Sequence, residues 1–415
     1  MYNIALLFPG QGSQYVGMGK EIYNNYPIAR QTFEEASDTL GFDMMKLCSN
    51  GSFEELTKTK NAQPAILTVS IAMFRIYMEK FNIKPMYCIG NSLGEITALT
   101  CAGVINYRDA LIIVKNRGTT MQEAVPQGLG SMVAINGITS DIVKKICEEV
   151  STPSNVVVVS SYSSLDQTVI SGHKEAVESA ESILIGIGAK TYHLNVSAPF
   201  HSPLMEVAAI SFRKFLEKYE FSNFNIPVIS NATASPYEGT SCIIDNLAKQ
   251  ITEPIQWVKS INFLIDKGVN IGLEIGPKSV LKDLVRNISL EIKSISFDNK
   301  NDLDMFSDII NGKKPIFTYD NSIVTRCLVQ AVSTRNRNWN ELEYQEGVIV
   351  PYKKLQQMQR HDNIGVENLR ESDVETAIKL LETIFKTKMV PISEQENRIE
   401  LVLKGTGYVK RISNK

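Results

Sequence analysis

The five residues Gly90-Asn91-Ser92-Leu93-Gly94 constrain this chain most. A short apolar run, Met86–Ile89, precedes them, and a helix-forming run, Glu95–Ala102, follows and is stopped by Gly103. Strand, tight turn and helix in that order open an α/β layered domain. Small residues flank the serine because bulky ones clash in so sharp a turn. The turn lifts the Ser92 hydroxyl above the sheet and leaves the backbone N–H of Leu93 beside it, where it can bind an oxyanion.

A serine nucleophile needs a base. The chain has four histidines, His173, His193, His201 and His361, and none pairs with another His or Cys at metal-ligand spacing, so no zinc site is expected. His201 is the candidate base. It sits in the loop 197–203 between two prolines, straight after a predicted strand, whereas His173 and His193 fall in or beside strands and His361 in a charged stretch. An α/β-hydrolase places an acid between Ser and His in chain order. Asp109, Asp141 and Asp166 lie there, none in a motif, so a backbone carbonyl or an amide is an equal candidate for orienting the imidazole.

The glycine-rich turn in Phe8–Gln14 follows a buried strand predicted over Ile4–Phe8. Gly10 and Gly12 lack a glycine at 15, so the dinucleotide fingerprint is absent, and Gly276–Ser279 lacks the P-loop spacing. The first turn can instead bring the N–H of Gln11 to the serine. Arg117 lies in a predicted helix through Val114–Ala124.

From Gly130 the pattern runs strand (Ser131–Ile135), helix (Asp141–Val150), strands (Val156–Ser160 and Gln167–Ser171), helix (Lys174–Gly186), strand (Lys190–Val196). That β-α-β-β-α-β order is ferredoxin-like. Strands of the first kind resume at Pro227–Ser230 and Ile271–Ile275, so the small subdomain reads as an insertion. The expected organisation is an α/β-hydrolase-like large subdomain (1–128 and 198–290), a ferredoxin-like insert (129–197) and a small α+β appendage (291–415). In the appendage, Ser372 and Glu375 form a capping box before Ala377–Phe385, and Arg398–Lys404 alternates like a strand. The second helix of the stretch Ser52–Phe81 is expected to hold Pro64 near its first turn.

A net charge of −2 gives no reason to expect nucleic acid or an anionic membrane as partner, and the basic residues Lys404, Lys410, Arg411 and Lys415 are too sparse to change that. Six scattered cysteines without a C-x-x-C suit a reducing compartment. With no signal-peptide pattern and no membrane-length apolar run, the expected address is the cytoplasm.

Taken together, Phe8–Gln14, Gly90–Glu95, Arg117-Gly118 with Met121–Ala124, Ala198–His201, Pro227–Asn231, Lys249-Gln250 and Gly276-Pro277 resemble the malonyl-CoA:acyl carrier protein transacylase family, from about residue 3 to about 290. The resemblance implies a Ser92 acyl-enzyme with His201 as base and later acid. It implies an oxyanion hole of the Gln11 and Leu93 N–H groups, and Arg117 as a bidentate clamp on the malonyl carboxylate. Gln250 and Asn231 orient His201 in that reading, Met121 lines the substrate site, and Phe200 crowds a methyl on the acyl α-carbon. The implied substrates are malonyl-CoA and a carrier protein bearing phosphopantetheine. No cofactor is implied, and a monomer suffices.

Three departures stand out. Asn91 replaces the family's usual His, Ser160–Ser164 replaces a usually Asn-containing segment, and the housekeeping enzymes end before the appendage. Discrete acyltransferases serving polyketide synthases in trans can carry such a tail, which Arg326–Gln357, with Trp339 and Pro351-Tyr352, resembles. The alternatives are an acyl hydrolase of the same fold, a malonyltransferase of fatty-acid synthesis and a non-catalytic scaffold.

Overall fold

The computed structural model describes residues 2–126, 128–196, 198–312, 318–320, 322–338, 340–362 and 368–403. Ser197, Lys314, Trp339 and the basic residues from Lys404 onward lie outside them, as does the side chain of His361. The chain divides into two compact units, Met1–Phe306 and Ser307–Lys415.

The first unit contains strands β1 (Ile4–Phe8), β2 (Tyr87–Gly90), β3 (Gly130–Asn136), β4 (Val157–Tyr162), β5 (Gln167–His173), β6 (Lys190–His193), β7 (Val228–Ile229), β8 (Ile271–Glu274) and β9 (Lys293–Ser296). Five of them form a parallel sheet in the order β7-β2-β1-β8-β9. All five residues of β1 are buried, as the central strand of a sheet covered on both faces must be. The register pairs Phe8 with Gly90 and Leu7 with Glu274, so the carboxyl ends of β1, β2 and β8 lie side by side. In open α/β sheets ligands bind at such carboxyl ends.

β3, β4, β5 and β6 form a separate antiparallel sheet in the order β4-β5-β3-β6. With the helices Ser140–Val150 and Lys174–Gly186 on one face, this is the ferredoxin-like arrangement. Val133, Ile135, Val143, Ile170, Val177 and Leu184 fill its core. The insert is tied to the main body by main chain: Ile255 N donates to the Ser160 carbonyl at 2.9 Å, and Tyr162 N donates to the Ile255 carbonyl at 3.0 Å.

The structure departs from the sequence expectations at several places. The parallel sheet takes its edge strand β9 from beyond residue 290, and the units part at Phe306. Pro64 lies past the first turn of the helix Thr59–Phe81. Its missing N–H leaves the carbonyl of Lys60, four residues earlier, without its helical donor. Ser372 falls just inside the helix Glu371–Thr387 instead of capping it.

Arg398–Leu403 is not a strand but the end of a helix, Ile392–Leu403. A short alternating run fits either period, and here tertiary packing decides. Ile399, Val402 and Leu403 share the face that meets the core, and Arg398 Nε pairs with Glu394 one turn earlier at 3.0 Å. The second unit has its own core, built from Ile323, Cys327, Leu355, Ile378, Leu381 and Phe385. A two-stranded antiparallel ladder, β10 (Thr318–Asp320) with β11 (Asn368–Arg370), accompanies its helices.

All six cysteines are free thiols. Among the described residues no helix is long and apolar enough to cross a membrane.

Candidate active site

Ser92 is the N-cap of the helix Leu93–Cys101, with φ 51° and ψ −105°. A non-glycine residue at positive φ costs of order 1–3 kcal/mol and persists only where its surroundings over-determine it. Four hydrogen bonds do so here. Ser92 N donates to Asn231 Oδ1 at 2.7 Å, and Asn231 Nδ2 donates to the Gly90 carbonyl at 2.6 Å. Asn91 N donates to the Phe8 carbonyl at 3.0 Å, and Gly94 N to the Asn91 carbonyl at 2.9 Å. The glycines are steric requirements. A Cβ on Gly90 would stand 1.8 Å from the Gly94 carbonyl carbon, and one on Gly10 would stand 2.5 Å from the Asn91 carbonyl oxygen.

His201 is buried, and its Nε2 lies 2.9 Å from Ser92 Oγ. Its Nδ1 lies 2.6 Å from the backbone carbonyl of Gln250. A carbonyl can only accept, so the proton sits on Nδ1 and the Nε2 lone pair faces the serine hydroxyl. No acid is needed to fix this tautomer. Asp109 is instead bound to the Asn106 N-cap of its own helix, and Asp166 accepts from Ser164. Burial, then the nearby Arg117 charge, lowers the imidazole from its ordinary 6.5 to about 4. The His201 imidazole is therefore neutral across the physiological range and able to accept a proton.

Arg117, on the helix Tyr107–Glu123, is buried to 1% exposure. Its Nη2 donates to Gln250 Oε1 at 2.8 Å and to Ser92 Oγ at 3.1 Å, while its buried Nε has no hydrogen-bond partner. Burial lowers the guanidinium to about 10 against the supporting charge of Glu95, so it stays cationic at neutral pH. A buried cation with an orphaned donor beside a serine hydroxyl can pair with an anionic group.

Gln11, Ser92, Leu93, Arg117, Met121, Phe200 and His201 line one cavity of about 220 Å³. Leu93 N lies in the first helical turn, whose amides have no intrahelical acceptor. The insert contributes Ser160, Ser161 and Ser163 to the opposite wall.

Asn231 is placed differently from expectation: its amide braces the serine turn, and it is the Gln250 carbonyl that meets the imidazole. Other contributors were not singled out from the sequence. Gln63, from the helix Thr59–Phe81, lines the cavity with its Oε1 unpartnered. Glu95, wholly buried, accepts from Gln250 Nε2 at 2.6 Å, from Asn231 N at 3.1 Å and from the Tyr237 hydroxyl.

Residues 5–297 match the family model described as the acyl transferase domain. The chain belongs to the acyl transferase domain family. It is 38% identical over 395 residues to a malonyl CoA-acyl carrier protein transacylase of Bacillus subtilis, covering 95% of this chain and 99% of the relative. It is 44% identical over 289 residues to a protein of the same name from Salmonella typhimurium, covering 69% of this chain and 93% of that one. Among solved structures, a malonyl-transacylase in complex with its type II polyketide synthase acyl-carrier protein has a TM-score of 0.72 at 38% identity, covering 75% of this chain and all of the other. An acyl carrier protein S-malonyltransferase from Vibrio cholerae has a TM-score of 0.71 at 37% identity, covering 73% of this chain and 99% of the other. The match to the Salmonella relative spans 289 residues, whereas the 395-residue match to the Bacillus relative is longer than the first unit and reaches into the second.

Proposed function

We propose that this acyltransferase moves a malonyl group from malonyl-CoA to the phosphopantetheine thiol of an acyl carrier protein. The observation that carries this reading is the Arg117 guanidinium, which shares a cavity with Ser92 and reaches its hydroxyl at 3.1 Å. A carboxylate paired with Arg117 holds its acyl carbonyl beside the serine, and an acetyl group has nothing to offer that cation.

The reaction is ping-pong. Ser92 Oγ attacks the thioester carbonyl while His201 Nε2 takes its proton. The Gln11 and Leu93 N–H groups stabilise the oxyanion. Collapse breaks the C–S bond, and His201 returns the proton to the departing coenzyme A thiol. The carrier's thiol then attacks the Ser92 ester, with His201 again taking and returning the proton. Phe200 and Met121 bound the acyl pocket, and Phe200 disfavours an α-methyl branch. These steps need no metal or redox cofactor and no second subunit, so a cytoplasmic monomer suffices.

The second unit favours polyketide biosynthesis with carriers served in trans over housekeeping fatty-acid synthesis. Relatives covered to 93% by a 289-residue match leave no room for a unit of that size.

The test offers malonyl-CoA and acetyl-CoA to the protein and weighs the intact chain, then adds a phosphopantetheinylated carrier. The expected result is a malonyl adduct on Ser92 that passes to the carrier. Rapid release of free acid with no malonyl adduct identifies a hydrolase instead.

A further inference from the structure

Glu95 is the most deeply placed charge near the site, and it lines no part of the cavity. Two of its hydrogen-bond partners do a second job. Gln250 Nε2, donating to Glu95 Oε2 at 2.6 Å, also donates to the Ser92 carbonyl at 2.9 Å. Both are acceptors, so the amide has one permitted orientation, with Oε1 turned to Arg117 Nη2. Asn231, whose N–H is held by Glu95, clasps the serine turn through its side chain. The Tyr237 hydroxyl fixes the other carboxylate oxygen.

We propose that Glu95 is a positioning residue for acyl selection, locking the Gln250 amide so that it presents an acceptor to Arg117 and supplying the buried negative charge that balances the guanidinium. The inference rests on the malonyl-transfer reading above. Without the carboxylate the Gln250 NH₂ keeps only the Ser92 carbonyl to hold it away from Arg117, and the guanidinium loses the charge that balances it. The carboxylate is one residue removed from the clamp. A glutamate at 250 would neutralise Arg117 directly and compete with the substrate, whereas the Gln250 amide orients the cation and leaves its charge for the incoming acid. Burial raises the Glu95 carboxyl, and donors from Tyr237, Gln250 and Asn231 oppose that shift by favouring the anion.

The experiment compares Ser92 ester formation from malonyl-CoA and acetyl-CoA in wild type, Glu95→Gln and Glu95→Asp, with circular dichroism to verify folding. A lost charge-assisted hydrogen bond corresponds to roughly a 10- to 100-fold effect. Glu95→Gln is expected to lower malonyl-ester formation by about that factor and acetyl-ester formation by less than about threefold. Glu95→Asp keeps the charge but withdraws it, and its malonyl-to-acetyl ratio is expected between the other two. Equal loss with both donors, or an unchanged ratio, overturns the inference. If Glu95→Gln does not fold, Glu95→Asp decides alone, and a wild-type ratio there overturns the proposal. Wild type that forms no malonyl ester removes the underlying functional reading, a result distinct from a wild type that does and a Glu95→Gln variant that discriminates equally well.

Discussion

Two regions meet at the cavity and are built differently. On the main-body side, Ser92 and Glu95 from the elbow, Arg117, His201, Asn231 and Gln250 come from five separate segments and form one hydrogen-bonded set. On the insert side the wall combines Met132, Val169, Leu194 and Val196 with Gln167 and three serines, and the serine hydroxyls are satisfied locally. Ser160 Oγ donates to the Val169 carbonyl at 3.1 Å, and Ser161 and Ser163 share a hydrogen bond of 3.0 Å. Changing a main-body residue strands a buried partner elsewhere in the chain, which is costly. Changing one of these serines alters the wall and breaks only a bond within the insert. The chemistry thus rests on one region, and the fit to the acyl group is open to adjustment in the other.

The largest expected effects lie on the main-body side. Ser92→Ala should abolish the acyl adduct in intact-mass measurements. His201→Ala should slow acylation by roughly 10²- to 10⁴-fold, the usual contribution of a positioned base. An insert substitution with a comparable loss would break the contrast.

Arg117→Ala should come next, lowering kcat/KM for malonyl-CoA by about 10²-fold, as expected for one lost charged pair, with little loss for acetyl-CoA. The same variant tests the electrostatics. Protonated His201 cannot act as base, so labelling of Ser92 by a phosphonate probe should hold level down to mildly acidic pH and fall as pH drops through about 4. Removing Arg117 takes away a cation that lowers the imidazole, so the limb should move upward toward 6.5. A wild-type limb already at 6.5 would contradict the described burial of His201.

Asn231→Ala should have an intermediate effect. It leaves the Ser92 N–H and the Gly90 carbonyl without their partner, at about 1–3 kcal/mol in stability by denaturant titration. Smallest of all, Ser161→Ala should change malonyl transfer by less than about threefold while shifting the preference between malonyl- and methylmalonyl-CoA in a competition assay. An unchanged preference would remove the insert from acyl selection.

Local order made much of this legible in the sequence. β1, the serine elbow and the β-α-β-β-α-β insert depend on contiguous patterns of apolar residues and glycines. The Ser92–His201 pair was found by combining the elbow with the scarcity of histidine. What escaped depends on contacts across the chain. Glu95 and Gln250 are 155 positions apart, and nothing near Glu95 in sequence announces that a tyrosine, a glutamine and a main-chain amide close over it. Asn231 was assigned to the imidazole because motif order carries no directions for side chains. The run Arg398–Lys404 escaped because seven residues of alternating polarity leave the period undecided until Val402 packs.

The paired main-chain bonds between Ile255 and residues 160 and 162 have a bearing on how such proteins diversify. They involve no side chain, so any extended segment can form them, whatever its residues. An insert borrowed from another acyltransferase and spliced near Gly130 and Val196 would find the same dock waiting. It would be seated five residues from the carbonyl that steadies His201, so a new wall can be fitted to an old reaction centre without redesigning either.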